Sequence, residues 1–388
     1  MLLDQDRAGR ELRKGPLRGM IETCDVLVIG LGPAGSSAAI AAAREGVRVM
    51  AFDRKREAGV PVQCAEFVPM MLGIDSGPVT FAQVQPIDAM ESFVETRHDR
   101  HNDDFRGRMV DRAKFDRELV RQAQEAGAQV VFGEQVESID RDGVVAFLSG
   151  RRVASRVLIG ADGPRSRVGA VIGCVNSGIV ETRQVAVPLR RAQASTDIYL
   201  SAEIKGGYAW VFPKGEVANV GLGVDRSCKE RLKPLLESLL DHLAAEDVIG
   251  REPISHTGGA IPVGGPVGVA GRLGGTQVLL AGDAAGLTNP ITGAGIPAAC
   301  QSGRMAGETA ACVVRGREEA VADYYDDIED LFGASLRRAV DRRDELMASF
   351  AHGNPTRNQL RRGWIAYPAY WAADYKDTGE TNDELLEA

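Results

Sequence analysis

The chain has 388 residues, of which 44% are apolar and 26% charged, which is typical of a globular protein rather than a disordered or fibrous one. The net charge of −8 argues against a nucleic-acid partner, and no apolar run approaches the roughly 18 residues that span a bilayer. Its six cysteines are scattered without a CxxC pair, which indicates a reduced, cytoplasmic protein, and we predict no metal site.

The first predicted unit is a βαβ motif that follows a polar, basic tail at residues 1–20. An apolar, β-branched run at 24–29 predicts a buried parallel strand, and an alanine-rich stretch predicts a helix over 36–44. Between them lies Gly30-Leu-Gly32-Pro-Ala-Gly35. A second strand, over 47–52, ends in Asp53 and completes a unit of the expected size.

This glycine-rich turn has the spacing of a dinucleotide-binding turn. Gly30 allows the tight turn, Gly32 lets the backbone approach a pyrophosphate, and Gly35 permits close packing of strand and helix. The N-terminus of the helix would direct its positive end at the phosphates. Asp53 suits the ribose hydroxyls, which favours FAD or NAD over NADP.

The middle of the chain predicts a return to the first sheet and then a second lobe. Residues 60–110 contain four prolines, and we interpret them as loops and short elements. A helix is predicted over 112–126, a strand over 129–132, a hairpin that turns at Asp142-Gly143, and a strand over 152–159. The strands of an antiparallel second sheet are expected at 184–189, 197–204, 209–212 and 218–224, followed by a helix over 232–245.

A second glycine cluster favours FAD over NAD. The buried strand predicted at 276–282 ends in Asp283, which is how a flavoprotein holds the ribityl chain of FAD. A helix predicted from Gly295 to residue 315 would direct the N–H groups near Gly295 and Ile296 at the flavin, where they stabilise its reduced anionic form. Asp162-Gly163 resembles the Asp-Gly signature of flavin monooxygenases and their relatives.

Two further motifs resemble the geranylgeranyl reductase family of FAD-dependent oxidoreductases. Tyr208-Ala-Trp210-Val-Phe212-Pro213, followed by Gly221-Leu-Gly223, is similar to that family's YxWxFP…GxG pattern. The segment Pro61-Val-Gln-Cys64-Ala65-Glu66 is similar to its cysteine loop. The resemblance covers residues 24–315. It implies an α/β fold, with a Rossmann-type FAD-binding domain like that of para-hydroxybenzoate hydroxylase, an antiparallel-sheet substrate lobe and a helical C-terminal region.

The resemblance also implies which residues contact FAD and substrate. The implied FAD contacts are Ala34, Asp53, Cys64, Ala65, Arg112, Val136, Asp283, Gly295 and Ile296. Cys64 is the candidate proton donor or gate beside the flavin. One departure stands out, since Phe67 replaces the family's usual glycine after Cys-Ala-Glu and would either narrow the pocket or replace a backbone contact.

The activity that the resemblance implies is reduction of isolated C=C bonds in a polyprenyl lipid or isoprenoid. Hydride would leave the reduced flavin for one carbon while the other receives a proton. Tyr208, Trp210 and Phe212 share one face of a strand, where their rings either stabilise developing positive charge or form ordinary core.

We expect the domains to interleave along the chain. Residues 21–64, 111–174 and 256–316 are predicted to form the FAD-binding domain, 65–110 and 175–255 the substrate-binding lobe, and 317–388 the helical C-terminal region. The aromatic stretch from Trp364 to Tyr375 is expected either to pack on the protein's own core or to contact a lipid entrance or membrane surface.

Two alternative functions and the identity of the electron donor stay open at this stage. An FAD-dependent monooxygenase or halogenase-like enzyme would share the fold, although halogenases have WxWxIP where this chain has Tyr208 and Phe212. A flavoprotein electron carrier is the other alternative. No second GxGxxG follows a strand, so the donor is expected to be transiently bound NAD(P)H or a ferredoxin-like protein.

Overall fold

The computed structural model describes residues 20–70 and 77–373, and the elements named here are those of the described ranges. The strands are β1 (Glu22–Ile29), β2 (Val49–Asp53), β3 (Phe67–Pro69), β4 (Gln83–Ile87), β5 (Ala89–Val94), β6 (Arg97–Asn102), β7 (Gly107–Val110), β8 (Gln129–Phe132), β9 (Val136–Ile139), β10 (Val145–Phe147), β11 (Arg152–Gly160), β12 (Ile179–Pro188), β13 (Ser195–Leu200), β14 (Ala209–Lys214), β15 (Val217–Asp225), β16 (Ser255–Pro262), β17 (Ala270–Leu273) and β18 (Thr276–Leu280). The helices are α1 (Pro33–Arg44), α2 (Gly77–Ala82), α3 (Arg112–Glu125), α4 (Arg167–Val171), α5 (Leu232–Ala245), α6 (Ile296–Val314), α7 (Ala320–Ile328), α8 (Ala334–His352), α9 (Arg357–Arg362) and α10 (Pro368–Trp371).

The first sheet has the order β17-β18-β11-β1-β2-β8, in which β18, β11, β1, β2 and β8 run parallel and β17 is antiparallel to β18. Strand β10 lies beside β11, and β9 beside β10. Its central strand, β1, is buried on both faces, and Val26, Leu27 and Val28 are fully inaccessible. Parallel sheets are covered by helices on both faces, so the side chains of their central strands are apolar on both faces. The carboxyl ends of β1, β2, β11 and β18 meet at one edge, where the glycine-rich turns follow them.

Glycines allow α1 and α6 to pack unusually close together beside this edge. A Cβ atom at Gly303 would lie 2.1 Å from the carbonyl oxygen of Ala34, and one at Gly307 would lie 2.3 Å from that of Ala38. Neither position can therefore hold a larger residue without moving a helix. The close contact brings the N-termini of both helices to the same edge of the sheet.

The second sheet has the order β16-β12-β15-β14-β13-β5-β6 and is antiparallel except where β5 runs parallel to β13. Strand β14 lies in its interior, between β13 and β15. Apolar side chains of this sheet, including Val211, Val220 and Leu222, pack with Leu236 and Leu243 of α5. A small third sheet, β3-β7-β4, lies just after the segment that contains Cys64.

The predicted fold class is confirmed, and most predicted elements appear close to their expected ends. Helix α5 agrees at both ends, and α3 and α6 agree to within one residue at each end. The strand predicted over 197–204 ends early, at Leu200, because the chain turns back on itself, with the Ile204 amide donating to the Ser201 carbonyl.

Residues 60–110, interpreted as loops and short elements, include the six-residue strands β5 and β6, which were not predicted individually and form one edge of the second sheet. Strand β6 is the polar sequence RHDRHN and has no apolar alternation. Its turn also lacks the usual hairpin signal, because Glu95 and Thr96 adopt positive φ angles of 50° and 66° where glycine or asparagine is common.

The C-terminal helices pack onto the second sheet through a buried carboxylate. Asp99 of β6, with a side chain only 7% exposed, accepts hydrogen bonds from the Arg361 guanidinium and from the Tyr367 hydroxyl, the latter at 2.6 Å. Trp364, Tyr367 and Tyr370 are buried as a result, so these aromatic residues pack on the protein's own core.

The rest of the aromatic stretch and the N-terminal tail are less fully described. Trp371 is 52% exposed, while Tyr375 and residues 1–19 lie outside the described residues. Within the described ranges, none of the helices combines the length and apolar character needed to cross a bilayer.

Replacing Asp99 with asparagine should lower the free energy of unfolding at pH 7 by about 2–3 kcal/mol, because the Arg361 guanidinium and the Tyr367 hydroxyl would no longer donate to a buried anion. Burial alone would raise the pKa of Asp99, but hydrogen bonds from Arg361 and Tyr367 hold it below the usual value. The contribution is therefore complete at neutral pH and is lost as the pH falls through the folded-state pKa. Urea denaturation of the variant would measure it.

Asp103→Asn, in the exposed loop after the same strand, is the matched control and should be neutral. Equal stability of the two variants would contradict a role for Asp99 in anchoring the C-terminal helices.

Candidate functional site

The glycine-rich turn after β1 forms a cradle whose shape excludes side chains at two positions. Gly30 has φ +98°, and a Cβ there would lie 2.2 Å from the Ala161 carbonyl oxygen. A Cβ at Gly35 would lie 1.7 Å from the Gly30 carbonyl oxygen. Gly32 differs, because a Cβ at that position would meet nothing within 4 Å. The space in front of Gly32 is therefore open to a ligand.

The groups around this open space suit an anionic dinucleotide. Helix α1 begins at Pro33, directly after Gly32, with no side-chain cap and no acidic residue in its first turn, so its first N–H groups face outward. Ala34, in that first turn, is buried. The Asp53 carboxylate, at the end of β2, accepts the amides of Leu31 and Lys55 at 2.7 Å each. It is therefore held at the edge of the cradle, where a ribose would lie.

Val136 and Asp162 have supporting positions near this cradle. Val136 is buried at the start of β9, two residues after Glu134, whose amide donates to the Asp53 carbonyl. Asp162 follows β11, and its carboxylate accepts hydrogen bonds from the nearby Ser166 hydroxyl and Arg167 backbone N–H. Burial raises the pKa of Asp162, and these hydrogen bonds oppose the rise.

The second glycine cluster lies directly against the first. A Cβ at Gly282 would lie 2.9 Å from the Ala34 side chain, which joins the end of β18 to the start of α1. Asp283 accepts a hydrogen bond of 2.5 Å from the Thr288 hydroxyl. Burial raises the pKa of Asp283, although Thr288 and the charge of Arg112 oppose the rise.

The N-terminus of α6 completes this edge. The helix begins at Ile296 after Gly295, again with no side-chain cap. A Cβ at Gly295 would lie 2.6 Å from the Thr288 hydroxyl oxygen, so this approach requires glycine. Two uncapped helix N-termini, an open glycine turn and the carboxylates of Asp53 and Asp283 are the donor and acceptor set that FAD requires, and the residues present fit it.

Arg112 connects this edge to the cysteine segment. Its guanidinium forms a two-point ion pair with the buried Asp116, at 3.0 and 3.1 Å, and also interacts with the Cys64 thiol. Burial alone would lower the pKa of Arg112, but Asp116 and Cys64 raise it by more, so the side chain stays charged. A fixed cation therefore lies between Cys64 and the dinucleotide cradle.

Glu66, the last residue of the segment 61–66 that contains Cys64 (the cysteine segment), is buried and hydrogen-bonded to both halves of the molecule. Its carboxylate accepts hydrogen bonds from the Arg112 backbone N–H at 3.0 Å, from the Lys214 ammonium at 2.7 Å and from the Asn219 side-chain amide at 3.0 Å. Its own backbone amide donates to the Cys64 sulfur at 3.2 Å. Glu66 also adopts a φ of +69°, a costly conformation for a residue other than glycine, and these hydrogen bonds hold it there.

The second sheet also holds the backbone carbonyls of Cys64 and Ala65. Gln184 donates to the Cys64 carbonyl at 3.2 Å, and its own amide oxygen accepts the Trp210 indole N–H at 2.9 Å. Asn219 donates to the Ala65 carbonyl at 3.2 Å. Cys64 and Ala65 are thus fixed relative to strand β14 as well as to α3.

Five aromatic rings form a continuous row from the cysteine segment to the C-terminal helices. Phe67, Phe212, Trp210, Tyr208 and Trp364 follow one another with ring centroids 5.5, 6.1, 5.7 and 4.7 Å apart. Such spacings are typical of favourable aromatic contacts. We refer to these five residues as the aromatic row.

The sequence analysis named both ends of the aromatic row, Phe67 and Trp364, but did not predict that they adjoin the strand of Trp210 and Phe212. Phe67 occupies space left by Gly107, where a Cβ would lie within 2.3 Å of the Phe67 ring, so the bulky residue is matched by a glycine. Trp364 comes from the C-terminal region. Tyr208, in between, donates its hydroxyl to the Thr292 carbonyl at 2.5 Å, and burial raises its pKa.

Most predicted site residues therefore meet at one place, but several of their partners were missed. The side chains of Arg112, Cys64 and Asp283 lie close together, and strand β14, which carries Trp210 and Phe212, lies beside Cys64. Sequence reasoning did not find Gln184, Lys214 or Asn219, because no local pattern marks a residue whose partner lies more than a hundred positions away.

Known proteins show the same architecture. Residues 23–339 match the family model described as FAD binding domain. Digeranylgeranylglycerophospholipid reductase 2 of Methanopyrus kandleri is 36% identical over 354 residues, covering 81% of this chain and 85% of the relative.

Two solved structures share the fold. A geranylgeranyl bacteriochlorophyll reductase-like protein from Thermoplasma acidophilum has a TM-score of 0.75 at 24% identity, covering 88% of this chain and 90% of the other. PqsL, a probable FAD-dependent monooxygenase from Pseudomonas aeruginosa, has a TM-score of 0.65 at 19% identity, covering 87% and 98%.

Gly32→Ala should reduce the FAD content of the purified protein about tenfold or more, because the added methyl group enters the space through which the backbone approaches the pyrophosphate. Gly32 has φ −75°, so alanine is not strained there and the fold should remain intact. The ratio of flavin absorbance to protein absorbance measures the effect.

Gly275→Ala is the matched control, since a Cβ there also meets open space but lies away from the cradle. Full FAD content in both variants would contradict the assignment of the Gly32 cradle.

Proposed function

The chain belongs to the family of FAD-dependent oxidoreductases that includes the digeranylgeranylglycerophospholipid reductases, and we propose that it reduces the isolated C=C bonds of a geranylgeranyl-type lipid. FAD is its cofactor. The observation that carries the proposal is the position of Cys64. Its segment is hydrogen-bonded on one side to Arg112, at the cofactor edge, and on the other to Gln184, which holds the aromatic row.

An isolated alkene places two demands on the protein. It has no carbonyl group to accept negative charge, so one carbon must receive a proton as the other receives a hydride. Bound FAD, in its reduced form, supplies the hydride. The residues of this chain must supply the proton, bind the chain and keep water away.

Cys64 is the proposed proton source. The residue is only partly buried, and its thiol is oriented by the Glu66 backbone N–H and the Arg112 guanidinium. A proton held at the sulfur would pass to one alkene carbon, leaving a thiolate that the cationic Arg112 stabilises. Solvent exchange then restores the thiol, and the net change to the substrate is the addition of two hydrogens.

The aromatic row is the proposed wall for the prenyl chain. Trp210 and Phe212 are 6% and 5% exposed, so this surface is nearly dry. Ring faces stabilise positive charge that develops on a tertiary carbon by about 1–2 kcal/mol each when desolvated. The buried Tyr208, fixed to the Thr292 carbonyl, would limit how far the chain can enter.

The donor and the setting are finer parts of the proposal. We assign reduction of the flavin to transiently bound NAD(P)H or a ferredoxin-like protein. We also propose that the protein works in the cytoplasm and touches the membrane peripherally to collect its lipid. The half-exposed Trp371 ring, with the Arg338 guanidinium 5.0 Å above it, supports such a contact.

The direct test is anaerobic. The bound FAD is reduced, a geranylgeranyl lipid is added, and flavin absorbance and product mass are followed together. Reoxidation of the flavin with a gain of two hydrogens per reduced bond is expected. Reoxidation only when air is admitted, with an oxygenated product, would replace the reductase proposal with oxygen chemistry.

Cys64→Ala should slow this reoxidation about 100-fold or more while leaving FAD bound. The proton donor is removed, whereas the hydrogen bonds of the Glu66 carboxylate remain. Cys174→Ala, which removes another partly buried thiol away from the aromatic row, should keep the wild-type rate. If the two variants reoxidise at equal rates, Cys64 is not the proton source.

A further inference from the structure

Two loops at the cofactor edge follow the neighbouring strands β11 and β18. These strands run parallel and are paired up to Gly160 and Leu280, so the loops after them leave the sheet side by side. The loop after β11 contains Asp162, and the loop after β18 contains Asp283. The distance between the two loops decides whether the groups on both of them can contact one cofactor molecule.

A single side-chain amide joins these two loops. Asn176, in the segment between α4 and β12, donates through its Nδ2 atom to the Pro164 carbonyl at 3.0 Å and to the Asp283 carbonyl at 2.9 Å. A primary amide has two N–H donors, so each loop accepts one of them. Asn176 therefore fixes the backbone at Asp283 relative to the loop after β11.

The surroundings of this amide allow only one orientation. The Asn176 Oδ1 atom is buried with no hydrogen-bond partner among the described residues, and a Cβ at Gly286 would lie 3.0 Å from it. Exchanging the amide oxygen and nitrogen would place Oδ1 against two carbonyl oxygens, which cannot donate to it. The structure thus leaves one acceptor unpaired and keeps both hydrogen bonds to the loops.

The loop after β11 is held in place without Asn176. The Asp162 carboxylate accepts hydrogen bonds from the Ser166 hydroxyl and the Arg167 backbone N–H. The Ala161 N–H, against which the glycine cradle packs, donates to the Ile29 carbonyl at 2.8 Å. This loop and the cradle beside it should therefore keep their shape when Asn176 is changed.

The turn at Asp283 has fewer contacts outside itself. Thr288 donates to the Asp283 carboxylate, and the Gly286 N–H donates to the Asp283 carbonyl at 3.1 Å, but both partners belong to the same short turn. The Ser302 hydroxyl of α6 accepts the Gly282 N–H at 3.0 Å. Asn176 adds the hydrogen bond that ties the Asp283 carbonyl to the loop after β11.

We propose that Asn176 is a positioning residue for FAD, which holds the Asp283 turn at the distance from the glycine cradle that one FAD molecule requires. The inference does not depend on the substrate, but it rests on the assignment of Asp283 to the ribityl chain. Adenosine diphosphate (ADP) has only the adenosine and pyrophosphate part of FAD, so it would use the cradle at Gly32 and Asp53 alone. Loss of the Asn176 hydrogen bonds should therefore weaken FAD binding and leave ADP binding unchanged.

The test compares the affinities of FAD and ADP for the full-length protein. Dilution of the FAD-loaded protein gives the FAD affinity from the fluorescence of released flavin, and displacement of FAD by added ADP gives the ADP affinity. Asn176→Ala removes both donors and should weaken FAD binding about tenfold, the size of one to two hydrogen bonds, with ADP binding unchanged. A variant that loses FAD during purification is titrated with both ligands by calorimetry.

Asn176→Asp is nearly isosteric and has a second signature. Its anionic oxygen would face two carbonyl oxygens, so at about pH 8 it should bind FAD more weakly than Asn176→Ala does. This environment raises the pKa of the new carboxyl group above its usual value of about 3.9, and the protonated form can donate to one carbonyl. The FAD affinity of the variant, relative to the wild type at the same pH, should therefore rise as the pH falls.

Asn102→Asp, at the end of β6, is the matched control for the added charge. The Asn102 side chain accepts the Asp104 N–H at 3.0 Å, which a carboxylate can also do. The FAD affinity of this variant should equal that of the wild type at every pH.

Four results would overturn the inference in distinguishable ways. Equal losses of FAD and ADP affinity in the Asn176 variants would mean that Asn176 only stabilises the fold. A relative FAD affinity of Asn176→Asp that does not change with pH would mean that the amide does not face the two carbonyls. Unchanged FAD affinity in the Asn176 variants, with a loss in Asp283→Ala, would remove Asn176 from the site and keep Asp283. Unchanged FAD affinity in Asp283→Ala as well would remove the ribityl assignment together with the inference.

Discussion

The arrangement of this site depends on the hydrogen bonds of the buried Glu66 carboxylate. A carboxylate with 6% exposure is stable only when it is paired and hydrogen-bonded, and its partners come from different parts of the fold. Arg112 begins a helix of the cofactor side, whereas Lys214 and Asn219 belong to the second sheet. The free-energy cost of burying the Glu66 charge is thus offset by hydrogen-bond donors from the cofactor side and from the second sheet, which joins these two parts of the fold.

This constraint also explains why Cys64 lies where reduction requires it. The strained φ of Glu66 turns its amide toward the Cys64 sulfur, and Lys214 is the last residue of the strand that carries Trp210. The thiol, the fixed cation of Arg112 and the aromatic row are therefore set relative to one another by hydrogen bonds of a single short segment. Lengthening that segment by one residue would uncouple them.

Much of the cofactor side was predictable from sequence, because its signals are local. Gly30 and Asp283 follow strand ends and Gly35 lies in the first turn of α1, and the physical requirement for glycine or aspartate appears within a few residues. The partners of Glu66 and the packing of Trp364 on Tyr208 are contacts between distant segments, which no periodicity encodes. Strand β6 was not predicted individually for a third reason: its polar sequence has no apolar alternation, and Asp99 and the C-terminal helices hold it as an edge strand.

A crystal structure of the FAD-bound protein would test this arrangement of cofactor, thiol and rings. We expect the flavin ring to lie between the N-terminus of α6 and Cys64, with the sulfur and the aromatic row on the same side of the ring. A ring seated with Cys64 and Trp210 out of contact, or with Glu66 exposed and its hydrogen bonds to Arg112 and Lys214 broken, would contradict it.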